Sequence, residues 1–327
     1  MNEKPRQIVY GPVASRRLGM SLGIDPSPPL TCTFSCVYCQ LGRIRHVVSG
    51  PEQVEGKFPS PERIADAVRT KLEQTAHADV VSFSGSGEPT LHPALGEAIE
   101  AVRGVTTLPI ALITNGSLLS RRDVFEAAVT CDLVLPSLDA GDQETFERIN
   151  RPYRGISLDR ITESIAELAE RNSVWLEVMF VASAAGKTNV HPEAIDALVT
   201  RIDRIRPEDV SLNTCVRPPA EDLLALSDAQ LVSIRDDMRR RLPGLSISVV
   251  PPLPATHRRA EGEKTLDEIA ALLLVRPLTL LELAEASGVH LSEAGKLIGQ
   301  LMARGSVSRR FQSGRLYYQL EERNRSA

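Results

Sequence analysis

Cysteine is scarce in this chain, with five among 327 residues. Long apolar runs are missing as well. The opening stretch MNEKPRQIVYGPV is charged and lacks the apolar segment of a signal peptide, and no stretch approaches the uncharged length that a membrane span requires. A cytoplasmic, reducing compartment is therefore expected, where gathered cysteines serve as metal ligands or redox groups more often than as disulfides. An excess of positive charge is also lacking. Lys and Arg number 38 against 42 Asp and Glu, a formal net charge of −4 with a pI near 6.0, which gives no global reason to bind nucleic acid. Internal repeats and low-complexity tracts are absent. The chain is 42% hydrophobic and long enough for one large domain with a substantial core plus a small one.

What is present is an alternation. Short apolar runs rich in β-branched residues recur between about 80 and 250: DVVSFSG, PIALITNG, DLVLPSLD, VWLEVMFVA, DVSLNTCV and LSISVV. Such runs suit strands buried on both faces. Between them lie amphipathic stretches such as SPERIADAVRTKLEQT and SLDRITESIAELAERN, several opening with a Ser cap or a Pro in the first turn. Strand alternating with helix predicts parallel β-α units. With MSLGID (20–25) as the first strand, about six units are counted, fewer than the eight of a closed barrel. The expected fold is α/β, a partial (β/α)6 barrel over 1–250 with an N-terminal extension over 1–19. A Pro-rich connector follows over 251–264. The remainder, 265–327, reads as three helices and a two-stranded hairpin, the grammar of a winged helix-turn-helix.

Three of the five thiols sit in TCTFSCVYCQ, as Cys32, Cys36 and Cys39. Three thiols cannot all pair with one another: either one is left over from a disulfide, or all three face one centre. The position after the first strand is where barrel enzymes place their chemistry. The missing fourth ligand is informative, because a structural zinc site normally closes with four. A Cys3His zinc site using His46 is the competing reading.

C-x3-C-x2-C with Tyr38 before the last cysteine resembles the signature of the radical S-adenosylmethionine superfamily. After the second strand, Gly85-Ser86-Gly87-Glu88-Pro89 is similar to that family's Gly-Gly-Glu-Pro turn with a serine inserted, and ITNG at the end of the third is similar to its Thr-Asn-Gly end. YGPVASRRLGMSLGIDPSPP and LNTCVRPPAE resemble a poorly characterised subgroup placed near wyosine-synthetase-like radical proteins. The resemblance implies one [4Fe–4S] cluster on Cys32, Cys36 and Cys39, S-adenosylmethionine on its open iron, and a 5′-deoxyadenosyl radical that takes hydrogen from a substrate. It implies an external one-electron donor, flavodoxin- or ferredoxin-like. It also implies cofactor contacts from Tyr38, Gly85, Ser86, Gly87, Glu88, Asn115 and Asn189. The glycines would let backbone approach the ligand, and Glu88 would accept from its ammonium.

Further candidates follow from strand parity. Ser137 and Asp139 are expected to share one face of the fourth strand, where two polar groups need partners, either bound ligand or neighbouring backbone as a strand-end cap; the resemblance implies that they contact cofactor. Glu177 sits inside an apolar run, where an unpaired carboxylate is costly; it pairs with Arg217 or another cation, or reads substrate. Asn213, Cys215 and Arg217 are expected on one face of the sixth strand, with Cys215 either a thiol at the barrel mouth or a small core residue. Arg16 and Arg17 would meet an anionic cofactor or substrate group, or lie exposed on an edge strand. VASAAGKT nearly spells a phosphate loop, but Val181 stands where its first glycine is required.

The third helix of the C-terminal module, LSEAGKLIGQLMARG, turns Ser292, Glu293, Lys296 and Gln300 outward, which argues against sequence-specific DNA reading. Positive charge collects instead on Arg309, Arg310, Arg315, Arg323 and Arg325, which leaves an RNA or polypeptide substrate open. The alternative overall is a zinc-bound, non-catalytic regulator that uses the winged helix to bind nucleic acid or protein.

Overall fold

The computed structural model describes residues 6–75, 77–183, 188–250 and 266–321. Strands β1 (Val9–Ser15) and β2 (Gly19–Ile24) form an antiparallel hairpin, and β3 (Thr31–Cys32) and β4 (His46–Val47) a small parallel pair. Strands β5 (Val80–Phe83), β6 (Ile110–Thr114) and β7 (Leu133–Pro136) continue from β2 in parallel, in the order β1-β2-β5-β6-β7. Strands β8 (Trp175–Phe180), β9 (Asp209–Thr214) and β10 (Ser246–Val249) form a second parallel sheet. Parallel bridges Val134–Val174 and Ser137–Glu177 join the two at β7 and β8, so the strands curve into one partial barrel. Six β-α units and a last strand, β10, build it. Edge strand β1 lies in the stretch expected to be only an extension.

The helices are α1 (Pro61–Glu73), α2 (Leu95–Arg103), α3 (Arg122–Val129), α4 (Gln143–Ile149), α5 (Leu158–Ala169), α6 (Pro192–Ile205) and α7 (Asp228–Arg241). Side-chain caps from Ser60, Ser157 and Ser227 satisfy orphan N–H groups at the starts of α1, α5 and α7. The inner faces of these helices bury Ile64, Ile99, Ile165 and Ile202 against Leu22, Phe83, Leu112 and Phe180 of the strands. No helix among the described residues is long and apolar enough to cross a membrane.

The barrel interior is filled at one end by the β1–β2 turn. Leu18 from this turn packs on Val80, Ala111 and Leu135 near the strand starts. The opposite end, where the strands finish, carries the cysteine loop.

Three helices, α8 (Leu266–Val275), α9 (Leu280–Ser287) and α10 (Leu291–Ala303), and the hairpin β11 (Val307–Gln312) and β12 (Arg315–Leu320) follow. Their order matches the three helices and hairpin expected from sequence. The module is docked on the barrel. Tyr10 and Val13 of β1 share a core with Ile269, Leu273 and Leu283. Lys71 bonds Glu268 at 2.8 Å, Arg217 bonds Glu282 at 2.7 Å, and Tyr317 donates to the Val216 carbonyl at 3.0 Å. The connector over 251–264 lies outside the described residues.

Candidate functional site

Cys32 ends β3, and Cys36 and Cys39 lie on the loop that follows. All three are free and half-buried. This loop is held by the end of α4 and the chain just after it: the Val37 amide donates to the Ile149 carbonyl at 2.9 Å, and the Tyr153 amide to the Thr33 carbonyl at 2.7 Å. Two side-chain amides aim at sulfur. Asn115 Nδ2 lies 3.4 Å from Cys32 Sγ, and Asn150 Nδ2 lies 3.6 Å from Cys36 Sγ. Burial pushes the Cys32 thiol up to about 12 and the Cys39 thiol up to about 11, and raises Cys36 as well. Thiolates here need a positive partner, which a metal centre supplies.

Among the described residues no three His, Cys, Asp or Glu side chains already surround a common point. The fit to an iron–sulfur cluster lies in the donor set: three free thiols on one anchored loop, two of them facing amide donors of the kind that tune cluster sulfur. His46, the fourth ligand of the competing zinc reading, is exposed on β4 and forms no metal-binding group with the thiols among the described residues.

Three buried carboxylates organise the loops around the cysteines. Asp139 accepts from the Tyr38 hydroxyl, from Asn150 Nδ2 at 2.6 Å and from the Met179 amide at 2.8 Å. Glu88 accepts from Thr90 Oγ1 at 2.7 Å, Thr114 Oγ1 at 2.5 Å and the Asn115 amide at 2.9 Å. Asp25 pairs with Arg6 and accepts from the Ser86 amide at 3.0 Å and its hydroxyl at 2.6 Å. Burial raises all three carboxyls above the ordinary range, and the hydrogen bonds pull against it.

A half-open cavity of about 410 Å³ lies beside this loop. Of the expected cofactor residues, Tyr38, Gly85, Gly87, Glu88, Asn115 and Ser137 line it, together with Cys39. Ser86 does not; it is fully buried on Asp25. The two glycines also meet the protein's own chain closely. A Cβ on Gly87 would stand 2.4 Å from the Thr31 carbonyl oxygen, and one on Gly85, at φ +125, 2.2 Å from Asp25 Oδ1. The turn thus packs tightly on the protein's own cysteine loop. Glu88 likewise has both oxygens engaged by protein donors.

Ser137 and Asp139 do not share a face. Strand β7 stops at Pro136, so parity lapses beyond it: Ser137 faces the cavity while Asp139 turns under Tyr38. Asn189 is buried and bonds the Asp139 and Met179 carbonyls, both at 2.8 Å, which fixes the end of β8. Strand β9 stops at Thr214, and Cys215 is buried with Val37, Ile149, Val181 and Leu223, away from the cavity wall that Asn213 and Arg217 line. Glu177 pairs with Arg17 and not with Arg217. Arg16 and Arg17 are not exposed edge charges; both face the cavity, and Arg16 Nη2 donates to Asn213 Oδ1 at 3.1 Å.

Sequence reading missed Asp25, Asn150 and Arg276. The first two have partners 61 and 114 positions away, and Arg276 reaches the cavity from the C-terminal module, so no local pattern marks them. In the near-phosphate-loop stretch, residues 184–187 lie outside the described residues.

A family model described as the Radical SAM superfamily matches residues 27–183. A protein named GTPase Obg from Brachyspira hyodysenteriae is 30% identical over 316 residues, which is 95% of this chain and 45% of that protein. This chain therefore spans just under half of that relative's length. A UPF0026 protein of Helicobacter pylori is 32% identical over 280 residues, 83% of this chain and 85% of its own. Streptococcus suis SuiB bound to S-adenosylmethionine has a similar fold, with a TM-score of 0.51 at 15% identity over 70% of this chain and 50% of that one.

Proposed function

The chain belongs to the UPF0026 family of radical S-adenosylmethionine proteins, a superfamily of enzymes built on a [4Fe–4S] cluster and S-adenosylmethionine, and from this premise we propose that Cys32, Cys36 and Cys39 hold the cluster and that hydrogen is taken from a substrate in the adjoining cavity. When bound, cluster and cofactor supply one-electron reduction and a 5′-deoxyadenosyl radical; the electron comes from an external donor.

The chain's own residues bind, orient and shield. Asn115 and Asn150 donate to two of the sulfurs, which favours the thiolate form needed for ligation. Asp139 fixes both Asn150 and Tyr38, so the last two cysteines are set by one buried carboxylate. Ser137, Gly85, Gly87 and Glu88 line the cavity on the cofactor side. Leu18 closes the lumen from below and the C-terminal module covers β1, which together limit water around a reactive intermediate.

The observation that carries this reading is the set of three free thiols at the strand ends, two of them facing buried amides, beside a half-open cavity. Protein prepared without oxygen should hold about four irons per chain, and Cys36→Ala should lose them. Stoichiometric zinc without iron after anaerobic reconstitution would overturn the reading. The GTPase activity in the name of the Brachyspira relative is not carried over, because more than half of that protein lies outside the shared stretch. Arg309, Arg310 and Arg315 on the exposed hairpin are the contacts an RNA or acidic polypeptide substrate would use.

A further inference from the structure

Four arginines face the cavity: Arg16, Arg17, Arg217 and Arg276. Two of them are answered. Arg17 pairs with Glu177, and Arg217 with Glu282 of α9. The other two are not. Among the described residues Arg16 hydrogen-bonds only the neutral amide of Asn213. Arg276 follows the last residue of α8 and enters from the C-terminal module; its Nε is buried with no hydrogen-bond partner. Glu282 is near enough to act on it electrostatically but is committed to Arg217, and among the described residues no carboxylate stands in ion-pair contact with Arg276. The remaining carboxylate on the cavity wall, Glu88, has its oxygens filled by Thr90, Thr114 and Asn115.

Two guanidinium groups thus face a half-closed space without an ion-pair partner of their own, and Glu282, paired with Arg217, acts on both only through space. Burial, with Arg217 adding to it, lowers Arg276 to about 10, which still leaves it cationic at neutral pH. An uncompensated buried cation is costly and is stabilised by an oxyanion, which a guanidinium grips through two parallel N–H donors.

We infer that Arg16 and Arg276 form a subsite for an anionic group of the substrate, a carboxylate or a phosphate, so that the C-terminal module completes the substrate pocket. The inference rests on the radical-enzyme reading for the word substrate. The cofactor's own carboxylate is the other source of such a group, because Cys39 and the two arginines line one cavity. Arg16 comes from the β1–β2 turn and Arg276 from the C-terminal module, whereas Gly85, Gly87, Asn115 and Ser137, the residues expected to meet the cofactor, come from the ends of β5, β6 and β7. Titration with S-adenosylmethionine present separates the two sources.

The test is isothermal titration of the full-length chain, as purified and after anaerobic reconstitution, with inorganic phosphate and with succinate, each with and without S-adenosylmethionine. At least one probe should bind saturably at one site per chain. Arg276→Gln and Arg16→Gln should each weaken it by about tenfold or more, while Arg276→Lys keeps part of the binding and Arg160→Gln, on the exposed face of α5, keeps all of it. Affinity for S-adenosylmethionine should stay within about twofold in every variant. Absence of probe binding to the wild type, or binding that survives both glutamine variants, overturns the inference. So does a variant that loses cofactor affinity while keeping the probe, since the arginines would then hold the cofactor. If Arg276→Gln fails to fold, Arg16→Gln and Arg276→Lys decide the matter. A wild type that takes up no iron refutes the proposed function separately, because the as-purified titration does not depend on the cluster.

Discussion

The two sides of the cavity handle buried charge in opposite ways. Around the cysteine loop, Asp25, Glu88 and Asp139 are each surrounded by donors from the protein itself. On the wall shared with the C-terminal module, arginines outnumber the carboxylates that answer them. A satisfied buried charge holds structure, and an unsatisfied one waits for a ligand. On this contrast the carboxylates near the cysteines hold the loops in place, and Arg16 and Arg276 opposite are the groups we propose to read a substrate.

Removing a satisfied charge should therefore damage the fold first. Asp139→Ala leaves the Tyr38 hydroxyl, Asn150 amide and Met179 N–H unpaired inside the protein. A loss of about 4 kcal/mol of stability is expected, read by urea unfolding, together with loss of iron. An unchanged midpoint would mean that the network holds nothing in place, and the contrast between the two sides would fail.

Removing the opposite wall should damage the cysteine end far less. A chain ending at Val250 uncovers Tyr10 and Val13, which are 9% and 6% exposed in the full chain. A stability loss of about 3 kcal/mol is expected from their exposure, seen as a lower melting temperature, while anaerobically reconstituted iron content is retained. Loss of iron together with the module would show that the two sides are not separable.

Gly87→Val probes the contact between the two loops at the cysteine end. Its Cβ would meet the Thr31 carbonyl at 2.4 Å, and Thr31 immediately precedes Cys32. Overpacking of about 2 kcal/mol is expected, with reduced iron uptake and not merely weaker cofactor binding. Normal iron content with selectively lost S-adenosylmethionine affinity would return this glycine to the ligand-approach role first expected of it.

How much of this was legible in the sequence depends on distance along the chain. The parallel strands were, because β5, β6 and β7 are short buried runs whose signal is local. The cysteines and the Gly85–Pro89 turn were too, because spacing within one loop is itself the motif. Parity arguments held only inside strands. They failed at Asp139 and Cys215, each just past a strand end, where the chain is free to turn its side chains elsewhere. Strand β1 was hidden because it is an edge whose pairing partner and covering helices are visible only in the fold. Arg276 was invisible for the same reason: Val275 and Arg276 stand at the end of α8, and only the docking of the module shows that both line the cavity.

The central claim is that this chain performs radical chemistry at the cysteine loop, and one measurement meets it directly. Anaerobically reconstituted full-length protein is incubated with S-adenosylmethionine and dithionite, and 5′-deoxyadenosine is quantified against the Cys36→Ala variant. The account predicts steady, if slow, release by the wild type and none above background by the variant. Equal yields from both, or none from a wild type that carries its full complement of iron, would contradict it.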